Sequence, residues 1–300
     1  MSTTAERIEA PSGARAETAE PLSTRVVGLL GKTPVYLFLA FVAILWLVPT
    51  IGLLLTSLLE PASISTTGWW ELLSQPSAAT LENYRELLDN EAITSAVWTT
   101  LWISLGATIL PIFVASLAAY AFAWLEFPGR DWLFLGVVAL LVVPIQMALI
   151  PIFSLYNDLG LFDTIAGLVL FHTAFGLPFA IFLLRNFFIG IPRDLLEAAR
   201  IDGASELRIF FRLILPLGLP AIASLAIFQF LWVWNDLLVA LTFARDTQPI
   251  TVAIFSQMRQ FSANIELIAP AAFLSLAIPL VVFFAFQRYF VQGLLAGSVK

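Results

Sequence analysis

The chain has 300 residues, of which 60% are hydrophobic and only 12% charged, with a formal net charge of −6 at pH 7. A soluble globular domain carries about 25% charged residues, so the composition excludes that class. There is no cysteine, which excludes disulfides, thiolate metal sites and thiol catalysis.

Residues 1–32 are rich in Ala, Glu, Thr, Ser and Pro and lack the basic start and apolar middle of a signal peptide. They read as a disordered tail. Six apolar runs follow, at 35–58, 94–123, 132–155, 165–184, 217–243 and 269–290. Each is long enough to cross ~30 Å of hydrocarbon as a helix, so the fold class is an all-α integral membrane protein with six transmembrane helices. The second run is over-long, which implies tilt or a part outside the bilayer. Between the first two spans lies an outer loop, the two together making up residues 33–92. In that loop Thr80 is placed to cap a helix, and Leu81, Tyr84 and Leu88 recur at helical spacing. A short helix at the membrane surface follows, with Trp69 and Trp70 suited to the interface. Contact with an external partner is the alternative reading of this loop.

The second span ends in FAWLEFPGRDW, where Phe127-Pro128-Gly129 makes a tight turn. Pro111, Pro144, Pro151, Pro178 and Pro279 fall inside spans and predict kinks. Lys and Arg accumulate in cytoplasmic loops. With six spans and an inside N-terminus, Arg85, Arg245 and Arg259 lie outside. The remaining twelve of the 15 basic residues lie inside. Both termini and the segment between the fourth and fifth spans are therefore expected in the cytoplasm.

That segment, EAARIDGASELRIFFRLILP (Glu197 to Pro216), is a charged island in an apolar chain, with Arg185, Arg193, Arg200, Arg208 and Arg212 in it or just before it. Ile191-Pro192-Arg193-Asp194 starts a helix, with proline early and an acid in the first turn. This helix meets Gly203, and a second is expected from about Ser205 to Leu215, stopping near Pro216. Two short helices set around a glycine make a docking surface on which Ala198, Ala199 and Ala204 permit close approach and Glu197 offers a charged anchor. The structural alternative is that Glu197 merely pairs with Arg193 or Arg200, a contact worth about 0.2–0.5 kcal/mol.

The same segment resembles the EAA loop of permease subunits of binding-protein-dependent ABC importers: Glu-Ala-Ala, three residues, Gly, nine residues, Ile, one residue, Leu-Pro. Here it reads Glu197-Ala198-Ala199, Gly203, Leu213, Leu215-Pro216, with Leu213 in place of Ile. The resemblance runs from about Leu81 to the C-terminus and is to carbohydrate importers of the maltose-type branch. VVPIQMALIP, FHTAFGLPFAIFLLRN and FFAFQRYFVQGLLAGSVK bring it nearest to alpha-glucoside permeases. One departure is Trp98-Thr99, where relatives usually carry Asn-Thr.

The resemblance implies a type I ABC importer permease fold with cytoplasmic coupling helices, residues 93–290 forming the transmembrane domain, the EAA loop at 193–216 and a cytoplasmic tail at 291–300. It implies an ATPase-coupling site of Glu197, Ala198, Ala199, Asp202, Gly203, Leu215 and Pro216. It also implies a cytoplasmic dimer of ATP-binding subunits, a second homologous permease, an extracytoplasmic sugar-binding protein and a place in a bacterial inner membrane. Nucleic acid is not among the expected partners. The chain has no G-x-x-x-x-G-K-[ST], so no cofactor of its own is expected and ATP is hydrolysed by the partner. No catalytic or metal-ligating residues are expected.

Polar residues inside spans cost ~2.5–3.5 kcal/mol when ionisable and are functional candidates. On the fifth span Gln229, Trp232 and Asp236 share one helix face with Asn235 and Phe228 on its shoulder. Aromatic faces stack on pyranose rings and amides and carboxylates hydrogen-bond to them, so this stripe is the candidate substrate path; packing on a neighbouring helix is the alternative. His172, the only histidine, suits a helix-to-helix hydrogen bond. A polyol or glycerol-derivative permease is the runner-up. A proton-coupled carrier would leave the island unexplained, and an intramembrane enzyme would need a dyad or carboxylate pair that the spans lack.

Overall fold

The coordinates are a computed structural model, which describes residues 22–64, 66–260 and 265–298, with side chains described for 33–64, 66–258 and 265–288. Among the described residues every regular element is helical. The described residues divide into two units, the first ending at Ile51 and the second beginning at Gly52.

Helix α1 (Leu22–Ser57) starts inside the segment read as a disordered tail. Val26, Val27, Leu29 and Leu30 carry the apolar run back toward the N-terminus, and the tail reading now falls only on residues 1–21, outside the described ones. In the first unit, Val35 through Leu39 and Trp46 are more than half exposed. A helix apolar on every side suits hydrocarbon rather than water as its surroundings.

Short helices α2 (Pro61–Ile64), α3 (Glu71–Ser74) and α4 (Glu82–Asp89) form the loop. The expected helix is present, but Leu81 and not Thr80 holds its N-cap position, and its buried face is Asn83 and Leu87, while Leu81 and Leu88 stay exposed. Polar chemistry decides this rotation. The Asn83 amide donates to the carbonyls of Ser57 (3.0 Å) and Leu59 (2.7 Å), groups that the end of α1 would otherwise leave unpaired.

Helix α5 (Glu91–Trp124) opens on Asn90, whose side chain accepts from the amides of Ala92 and Ile93, and ends before the Pro128-Gly129 turn, with Gly129 at φ 80°. The third span is a broken one. Helices α6 (Arg130–Ala139) and α7 (Ile145–Leu159) meet at a 99° bend. Pro144 restricts Val143 to extended geometry, at ψ 115°, so the expected kink is a full break. Helix α8 (Ile165–Ile189) follows.

The island forms α9 (Arg193–Ile201) and α10 (Glu206–Ile209). The second helix does not stop at Pro216 as expected. A π-helical turn, Phe210–Ile214, carries it into α11 (Leu215–Trp234), with the Leu215 amide donating to the Phe210 carbonyl. Proline in the first turn of α11 needs no intrahelical donor, and the wider π turn absorbs the register change. Glu206 to Trp234 is thus one continuous span. It ends earlier than the expected 217–243 because Asp236 starts a new short helix, α12 (Leu238–Phe243), followed by α13 (Ile250–Gln260) and α14 (Ile265–Ser298). Helix α14 runs through most of 291–300, the segment read as a tail: Leu294, Leu295 and Ala296 are good helix formers with no proline among them.

Five described helices are long and apolar enough to cross a membrane, and the bent α6–α7 pair makes a sixth candidate. The heart of the second unit is α5 against α8, with α11 packed on both and on α14. Small residues let the backbones close, as membrane helices require: Ala107, Ala115 and Ala119 are fully buried, and a Cβ on Gly218 would lie 2.6 Å from the Phe188 ring.

Candidate functional site

Two regions carry the predicted residues, one at each end of α11. At its start, α9 is amphipathic. Leu196 is fully buried and joins a cluster with Phe188, Ile191, Ile209, Phe210 and Ile214. The other side of α9 shows Leu195 (43% exposed), Ala198 and Ile201 (85% exposed). Glu197 is exposed and pairs with Arg193 at 3.1 Å, the local partner that the spacing allows. Arg200 faces elsewhere, toward Glu206. Ala199 is half-buried against the cluster. Asp202 caps α9 through its amide, which donates to the Ala198 carbonyl.

Gly203 takes φ 78°, and a Cβ there would touch nothing within 4 Å. Its requirement is conformational, since an L-residue in this region costs roughly 1–2 kcal/mol. Ser205 caps α10, accepting from the Arg208 amide. Leu215 packs on the cluster and Pro216 sits exposed in the first turn of α11. The structure therefore brings Glu197, Ala198, Ala199, Asp202 and Gly203 onto one short protrusion, with Leu215 and Pro216 at the root of the span that it feeds.

At the far end of α11 the predicted stripe is divided. Gln229 is buried, and its amide nitrogen donates to the carbonyls of Ala107 (3.0 Å) and His172 (3.5 Å), pinning α11 to α5 and α8. Trp232 is 39% exposed and stands edge-on to His172 at 5.2 Å. Asn235 is exposed and its amide returns to the Leu231 carbonyl at 2.7 Å. Asp236 lies beyond the end of α11, so the shared helix face does not extend to it. Its carboxylate accepts from the amides of Val239 and Ala240, as a cap does. It approaches His172 only to 3.7 Å, too far for a hydrogen bond, so the hydrogen bond expected of His172 is not made to this neighbour. A cavity of about 290 Å³ opens beside the stripe, lined by Phe175, Gly176, Phe179, Leu225, Phe228, Gln229 and Trp232.

The family described as binding-protein-dependent transport system inner membrane component matches residues 107–295. The chain belongs to this family. The permease is 47% identical over 275 residues to the osmoprotective compounds uptake permease protein of Synechocystis sp., which covers 90% of this chain and 92% of the relative. It is 49% identical over 233 residues to the alpha-glucoside transport system permease protein of Rhizobium meliloti, spanning 75% of this chain and 61% of that one. Among solved structures, a bacterial ABC transporter involved in the import of the acidic polysaccharide alginate superposes with a TM-score of 0.72 at 20% identity, covering 94% of this chain and 100% of the other. The fold is accordingly that of a type I importer permease, a multi-pass membrane subunit of a transporter and not an enzyme.

Two features of the permease were not legible in its sequence. Tyr120, near the end of α5, donates its hydroxyl to Glu206, and Arg200 grips the same carboxylate. Glu206 stood in the island, but nothing in the sequence marks a tyrosine 86 positions away as its partner. At the other end Asp163, a non-glycine residue at φ 56°, accepts from the amides of Arg245 (2.8 Å), Asp246 (3.0 Å) and Thr247 (2.9 Å). Burial pushes its carboxyl up, but the three backbone donors outweigh that and hold it below the usual carboxylate value. Asp163 thereby ties the α7–α8 connection to the segment after α12. A lone Asp beside Thr164 gives no hint of this in sequence.

Proposed function

We propose that this permease forms half of the translocation pathway of an ATP-driven, binding-protein-dependent sugar importer and couples it to a cytoplasmic ATPase through α9. The observation that carries the coupling is the two-sidedness of α9: Leu196 fixes it in the helix core while Leu195, Ala198 and Ile201 stand uncovered. Fully burying a side chain such as Ile stabilises by about 1.5–3 kcal/mol, which favours a seat in a cleft of a soluble partner. The Glu197–Arg193 pair is exposed on both sides and of the kind that contributes little, so Glu197 can exchange Arg193 for a basic group on that partner. The basic-residue count supports placing this end, and both termini, in the cytoplasm, and the bacterial relatives favour a bacterial inner membrane.

The substrate reading rests on Phe175, Phe179, Phe228 and Trp232, aromatic groups that line one cavity at the side of α11 and suit the apolar face of a pyranose. Gln229, Trp232, Asn235 and Asp236 would lie along this path, with Gln229 holding its wall and Asp236 ordering its end. A second, homologous permease would close the other side, and an extracytoplasmic binding protein would deliver the sugar. ATP would be bound and hydrolysed by the partner subunits alone. The relative named for osmoprotective compounds favours a second reading, uptake of a polyol or glycerol derivative by the same machinery.

Uptake by the assembled complex in proteoliposomes separates the two. Radiolabelled maltose, trehalose, sorbitol and glycerol are offered with ATP inside and the binding protein outside. Uptake of maltose or trehalose that sorbitol does not compete away is the expected result. Polyol uptake indifferent to both glucosides would sink the sugar assignment.

A further inference from the structure

We propose that Tyr120, Arg200 and Glu206 form a latch that makes α5 and α11 move with α9, and that these three are positioning residues for coupling. This rests on the reading of α9 as the element seated in the ATPase. Three helices meet at one carboxylate. Glu206, the first residue of α10, receives Arg200 Nε on Oε1 at 2.9 Å and Arg200 Nη2 on Oε2 at 3.2 Å. Tyr120 donates its hydroxyl to the same Oε2. Arg200 Nη2 also reaches the Trp124 carbonyl at 3.5 Å, at the very end of α5.

The arrangement is stiff where it needs to be. Tyr120 is 4% exposed and its ring packs on Phe210 at 5.5 Å, the first residue of the π turn. A two-pronged arginine–carboxylate contact fixes orientation as well as distance. Without it, α9 joins α10 through Gly203, whose surroundings are open to 4 Å. Backbone bonds, such as that from the Ala204 amide to the Ala199 carbonyl at 3.0 Å, close the turn itself but do not reach α5. The apolar cluster around Leu196 packs these helices together, but among the described side-chain hydrogen bonds only those to the Glu206 carboxylate join α9, α10 and α5 at one point.

Stability is a poor explanation of the cluster. Arg200 and Glu206 are 35% and 42% exposed, and ion pairs so placed contribute little to folding. What the cluster supplies is direction. A displacement of α9 is passed to the end of α5 and, through the continuous span from Glu206 to Trp234, to the Trp232 end of α11.

The test measures substrate carried per ATP hydrolysed in the assembled complex, using whichever of the four labelled probes above the wild-type complex carries best. Tyr120→Phe keeps the ring against Phe210 and removes only the donor; Glu206→Gln keeps the shape and removes the charge. Both are expected to copurify with the ATPase at wild-type levels and to hydrolyse ATP, with the transport-to-ATP ratio lowered about tenfold. Arg200→Glu alone should do the same, and combining it with Glu206→Arg should restore at least half of the ratio. An unchanged ratio in Tyr120→Phe and Glu206→Gln would overturn the latch, as would loss of the ATPase from either variant, which would make the cluster part of the dock. Failure of the wild-type chain to bind the ATPase would instead overturn the docking reading, and copurification shows that before any variant is compared.

Discussion

Leu196→Ala is expected to abolish most ATP-driven uptake while leaving membrane insertion intact. Leu196 is fully buried among Phe188, Ile209, Phe210 and Ile214, and is the one buried residue of a nine-residue helix. Truncating a buried Leu to Ala costs about 2–5 kcal/mol. Helices shorter than about 12–15 residues are marginal on their own, so the loss falls on α9 and not on the α5–α8 contact. Since 1.4 kcal/mol is a factor of about ten in affinity, copurification of the ATPase should fall at least about tenfold, and uptake with it. Full recovery of the ATPase with normal uptake would show that α9 is held by some contact other than Leu196.

Gly176→Leu should have the opposite signature. A Cβ at this position would lie 2.6 Å from the Gln229 amide nitrogen. That amide cannot retreat without giving up the Ala107 carbonyl on α5, and the rest of the leucine would enter the cavity lined by Phe175, Phe179 and Trp232. Overpacking costs about 1–3 kcal/mol, and a buried carbonyl left without its donor adds to it. The variant is expected to assemble with the ATPase at wild-type levels and to hydrolyse ATP, but to carry little substrate. Near-normal uptake would remove this cavity from the pathway. Together the two variants separate the dock from the path, since one loses the partner and the other keeps it.

The parts of the fold that were legible in sequence are those fixed by local chemistry. Apolar length gave the spans, the Pro128-Gly129 turn bounded the end of α5, and Gly203 marked the turn between α9 and α10. Several misreadings share a cause: a polar side chain finding a backbone partner that the apolar pattern does not show. Asn83 turned α4 by bonding to the end of α1. Asp236 became a cap and ended α11 early, which took it off the face it was expected to share with Gln229. Gln229 itself reaches the backbone of α5 and α8, so its amide braces the wall of the cavity. The π turn before Pro216 was also invisible, because proline near the end of a charged segment reads as a stop when the next turn could equally absorb it. The local geometry of the EAA segment, α9, the Gly203 turn and the start of α10 at Ser205, follows short-range chemistry and was legible; Tyr120 and Asp163, whose partners are more than 80 positions away, were not found.

In the proposed assembly, α9 presents its uncovered apolar flank, Leu195, Ala198 and Ile201, to a cytoplasmic ATPase. The chain contains no cysteine, so Ile201→Cys places a single thiol on that flank. The decisive measurement is its labelling by a membrane-impermeant maleimide in right-side-out and inside-out vesicles, with and without the ATPase subunit. The expected result is labelling only in inside-out vesicles, and its suppression when the ATPase is bound. Labelling in right-side-out vesicles, or labelling that the bound ATPase leaves unchanged, would contradict the account.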